Sequence, residues 1–165
     1  MIYKGPHRRI LLPLPLPNFR TAADIAQKAL ATVSPLCIAG AKIVDICAAG
    51  DKFIVGETSQ LYKTDKQMVK GVGFPTSIAV NNVVGNYSPL ADNVATLQSG
   101  DVVKIDLGVT IDGYVAMVAH TLVVDSAEVP PVVTATYTAA QVVARLLKAG
   151  ASVRTHHLHS LSTPN

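Results

Sequence analysis

Three observations predict a mixed α/β fold, with helices packed on a mainly antiparallel sheet. Apolar residues recur at helical spacing in TAADIAQKALATV, residues 21–33. Two later runs, SIAVNNVV and DVVKIDLGVTIDGYVAMVAHTLVV, are rich in Val and Ile and broken by turn residues, as strands are. Within the second run stands Asp112-Gly113, a strong two-residue hairpin signal. Helices before and after a block of strands imply one mixed α/β domain.

Taken in order, residues 1–18 read as an extended, proline-rich arm. Basic residues followed by ILLPLPLP imitate a secretory leader, but the prolines forbid its helical apolar core and no small-residue cleavage site follows. The first helix is expected to open with Thr21 at its N-cap and Asp24 three residues on. Ala22, Ile25, Ala29, Leu30 and Val33 form its apolar stripe, and Ser34-Pro35 ends it. A second helix is expected from about Lys42 to Tyr62, with Ile43, Ile46, Phe53, Ile54 and Leu61 mostly on one side; Gly50 and Gly56 weaken it. After the strands, a last helix from about Thr136 to Ala149 would bury Ala139, Val143, Leu146 and Leu147 and stop at Gly150. The domain therefore spans residues 19–150. Residues 151–165 have no period, and their His156, His157 and His159 leave two readings: a metal cluster, or a histidine-containing flexible tail. The general character of chain termini favours the tail.

Composition narrows the function classes. With 49% apolar and 15% charged residues, the 165-residue chain is globular rather than disordered and too short to expect two domains. Its apolar stretches are interrupted before the ~18 residues a bilayer helix needs, which argues against a membrane partner. A net charge of +3 permits an acidic or nucleic-acid partner without arguing for one. Cys37 and Cys47 fit no zinc spacing and read as buried free thiols.

The hairpin carries the chemistry. With Asp112-Gly113 as the turn, Ile111 faces Tyr114, Thr110 faces Val115, Gly108 faces Met117 and Asp106 faces Ala119. Asp106, Gly108, Thr110, Val115, Met117 and Ala119 then share one face, with Asp106 and Met117 diagonal neighbours roughly 7 Å apart at Cβ. Two carboxylates in those places could converge on a pair of metal ions about 3.5–4 Å apart. One carboxylate and a soft thioether cannot.

Here the residues resemble a known family. FPTSIAVNN, YSPL, GDVVKIDLG and IDGYVAMVAHTLVV, with KIVDICAAGD before them and ARLLKAG after, are similar to the methionine aminopeptidase-like, or pita-bread, superfamily. Within it they resemble most the proliferation-associated (ErbB-receptor-binding) branch, which lacks peptidase activity. The resemblance covers roughly residues 19–150 and implies the N-terminal half of a pita-bread fold, helices on a curved, mainly antiparallel sheet. It implies further that active members hold two metals with two Asp, one His and two Glu. Asp106 occupies the first Asp position, Met117 the second, and Asn86 stands where a substrate-side His usually sits. The remaining ligands belong to the second half of the fold, before which this chain ends. His120 falls at a non-ligand position on the face away from Asp106, and Asp106 itself reads better as a packing or hydrogen-bonding residue than as a ligand.

The expected function is a non-catalytic protein of this branch, without cofactor. The resemblance implies ribosome, ribosomal RNA or protein partners, and a cytoplasmic location that extends to the nucleus and nucleolus. Lys63, Lys66 and Lys70 would form a phosphate-contacting stripe if their helix continued, although a solvated face explains the same spacing. The runner-up is a metal-dependent methionine aminopeptidase or a fragment of one. A truncated product is a third reading, suggested by the loss of pattern after Gly150. A lone half would expose a strand edge and an apolar sheet face near Val80, Ile105, Val115 and Val118, and could form homo-oligomers through that edge.

Overall fold

The computed structural model of the chain describes residues 16–65 and 67–147. In order these form α1 (Leu16–Val33), a short 3-10 turn (Ser34–Leu36), α2 (Ile43–Ser59), β1 (Lys70–Val80), β2 (Val102–Ile111), β3 (Tyr114–Val123) and α3 (Pro131–Leu146). The chain divides into two compact units, one up to Asp125 and one from Ser126. The expected mixed α/β class is the observed one. Most of the N-terminal arm and all of the histidine-bearing tail lie outside the described residues.

The α1 stripe is as expected: Ala22, Ile25, Ala29, Leu30 and Val33 are all buried. Its start is not. The helix begins at Leu16, so residues 16–18 belong to it rather than to the arm, and Thr21 sits inside it. There the Thr21 hydroxyl donates to the Pro17 carbonyl at 2.9 Å instead of capping. Pro17 is the reason: in a first turn its missing N–H costs nothing and its fixed φ suits the helix.

Helix α2 ends three residues short of Tyr62, whose φ of 42° is left-handed. Ile43, Ile46 and Ile54 are buried, while Phe53 and Leu61 pack from the margin. Gly50, a poor helix former, is placed where helix and strand touch. A Cβ there would lie 2.6 Å from Thr76 Oγ1 and 3.1 Å from Val33 Cγ2, so α1, α2 and β1 close on one another only around a glycine. Beside it, Asp51 Oδ1 accepts from the Thr76 amide at 2.9 Å and from the Thr76 hydroxyl at 2.7 Å. Thr76 is fully buried, and Asp51 satisfies both of its donors.

The three strands lie in the order β1-β2-β3, antiparallel throughout. Asp112 and Gly113 have φ of 53° and 80°, the two positive values a type I′ turn requires. All four predicted hairpin pairs are present, within an unbroken register from Val102↔Val123 to Ile111↔Tyr114. Strand β1 is less regular, with register shifts on both sides of Phe74 around Pro75. A proline is tolerated there because β1 is an edge strand.

Alternation sorts the sheet into two faces. Val103, Ile105, Leu107, Val109 and Ile111 point into the core with α1 and α2. Lys104, Asp106, Gly108 and Thr110 point the other way, opposite Thr121, Ala119, Met117 and Val115. This corrects the expected exposed patch. Ile105 is buried on the helix side, and Val80 and Val118, paired with Val103 and Leu107, are packed there too. Of the four, only Val115 lies on the open face, because residues 115 and 118 differ by an odd number and must point oppositely.

Helix α3, in the second unit, starts five residues earlier than expected, at the Pro130-Pro131 pair that suits a helix entrance. None of its described residues is buried. Val143 and Leu146 of the expected stripe are half-buried, while Ala139 and Leu147 are exposed.

Candidate functional site

The open face centres on Asp106, half-buried on the middle strand and flanked in register by Ser77 of β1 and Ala119 of β3. Met117 stands opposite Gly108, one diagonal step away, with 72% of its surface exposed. What lies between them does not follow from the hairpin pairing. A Cβ on Gly108 would come within 2.5 Å of Phe74 Cε1, so the Phe74 ring lies across the bare glycine. An aromatic covering a cross-strand glycine stabilises a sheet, and here it puts hydrocarbon beside Asp106, the one carboxylate of the face among the described residues. The available signal was Phe74-Pro75, since proline marks the irregularity that swings the ring onto the sheet.

Asp106, an exposed thioether and a phenyl ring do not suit a pair of divalent ions, which need several hard oxygen or nitrogen donors. Among the described residues no three His, Cys, Asp or Glu side chains come together. Lys104, two residues from Asp106 on the same face, adds a positive charge; burial lowers its pKa, and its Nζ donates to the Asn81 carbonyl at 2.8 Å. His120 pairs with Ile105 and so belongs to the opposite face. Asn86 is exposed in the β1–β2 loop with a φ of 56°. The next residue, Tyr87, docks on β1, its amide donating to Ser77 Oγ and its carbonyl accepting from the Ile78 amide, both at 2.8 Å. Asn86 thus flanks the row Ser77–Asp106–Ala119 at the β1 edge.

The lysine stripe does not form as a helical face. Helix α2 stops at Ser59, Lys63 lies in an exposed turn, and Lys70 opens β1. The Lys70 ammonium donates to the Leu61 carbonyl and, at 3.2 Å, to that of Tyr62, tying the end of α2 to the start of the sheet. Lys66 lies outside the described residues. The helix fails because left-handed Tyr62 reverses the chain before the lysines are reached. The cysteines are buried free thiols, as expected. Burial pushes both up to about 11, against a weaker opposing hydrogen bond from Ser88 at Cys47, so neither serves as a thiolate nucleophile near neutral pH.

Comparison with known proteins places these features in a wider set. The model of metallopeptidase family M24 matches residues 17–162. ErbB-3 binding protein 1 of Arabidopsis thaliana is 46% identical over 138 residues, which cover 81% of this chain and 35% of that protein. Proliferation-associated protein A of Dictyostelium discoideum is 46% identical over 112 residues, or 68% of this chain and 29% of its own. Among solved structures, a thermophilic Arx1 superposes with a TM-score of 0.68 at 33% identity, covering 91% of this chain and 44% of its own. This chain therefore spans about a third of the length of the curated relatives it matches.

Proposed function

This chain belongs to metallopeptidase family M24, and from that premise we propose that it is a non-catalytic binding protein of the proliferation-associated type. The observation that carries the reading is Met117, which stands diagonally from Asp106 where a second carboxylate would be needed. The Phe74 ring over Gly108 supports it, because hydrocarbon beside Asp106 disfavours a hydrated dication. Calorimetric titration with manganese or cobalt at neutral pH should show no stoichiometric binding, and Met-Ala-Ser peptides should release no methionine. Met117→Asp should restore neither, since one added carboxylate leaves the donor set short. A micromolar isotherm for two ions would instead establish the metallo-aminopeptidase reading.

Binding then replaces hydrolysis as the activity. The names of the relatives point to protein partners, and the family resemblance adds the ribosome and its RNA, with action in the cytoplasm and nucleus. Of the three lysines, Lys63 and Lys66 are the ones for phosphate contact, since Lys70 is committed to the backbone of residues 61 and 62. Ribosome co-sedimentation should weaken steeply with salt. The double change Lys63→Glu, Lys66→Glu should lower the slope of log affinity against log salt by about one per lost contact. An unchanged slope would remove these lysines from the interface.

A further inference from the structure

We draw no further inference here: the strongest candidate, the apolar side chains of Val84, Leu90 and Val94 exposed along the β1–β2 loop, carries nothing because nothing in the structure shows what covers them in a chain that spans about a third of the length of its curated relatives.

Discussion

Asp51→Ala is expected to lower the unfolding free energy by about 2–6 kcal/mol. The figure follows from two orphaned donors, since an unsatisfied buried donor costs roughly 1–3 kcal/mol. Both donors belong to Thr76, which no water reaches: its amide and its hydroxyl each give their hydrogen to Asp51 Oδ1. The neighbouring Gly50 leaves no slack, because Thr76 Oγ1 already fills the space where a Cβ would stand. Urea unfolding followed by circular dichroism measures the loss. Asp51→Asn keeps an acceptor oxygen and should recover most of it, whereas Thr76→Val removes the hydroxyl donor, leaves the amide bonded to Asp51 and should cost less than Asp51→Ala. A midpoint for Asp51→Ala equal to that of the parent would mean that the contact contributes nothing net.

Leu97→Ala should have a comparable effect for a different reason. Leu97 lies in the long β1–β2 connection yet is fully buried. Its amide donates to the Ala41 carbonyl at 2.9 Å, and its own carbonyl accepts from the Gly40 amide at 2.8 Å. Truncating a buried leucine costs about 2–5 kcal/mol, according to how far the site collapses. Because the side chain pins the connection to the segment before α2, the loss should be felt locally as well. Hydrogen exchange should report faster opening at Gly40, Ile43 and Leu97, whose amides all bond across this junction. If only global stability fell, with no extra local opening, the anchoring role would be refuted.

The parts of the fold legible in the sequence are those governed by local rules. Asp112-Gly113 set the hairpin register because few residues other than Asn, Asp and Gly accept two successive positive φ values. The α1 stripe was legible because its spacing survives wherever the helix begins. The helix starts were misplaced because Pro17 and Pro131 read as breakers from outside a helix and as first-turn residues from inside it. The features with most bearing on the candidate site depended on distant partners. Asp51 and Thr76 are 25 positions apart, and the Phe74 ring reaches Gly108 only through the irregular stretch of β1. The expected apolar patch fails for a simpler reason: period-2 alternation turns Ile105 and Val118 to the helix side, whatever their hydrophobicity.

The contrast between the two strand connections bears on the order in which the sheet assembles. β2 and β3 are joined by two residues, whereas β1 and β2 are separated by the 21 residues from 81 to 101. Closing the longer loop costs about 2 kcal/mol more in chain entropy before any contact repays it. A hairpin of this kind forms within microseconds, and α1 packs on the β3 side of the resulting surface. On loop-closure entropy β1 is expected to join last, and the lattice of bonds around Asn81, Asp101 and Leu97 spans the wide loop and holds its ends together. On this order, defects in the hairpin slow folding, while defects in the β1 anchors mainly quicken unfolding. The part of the sheet that carries Asp106 and Met117 is therefore the part that needs no help from the wide loop to form.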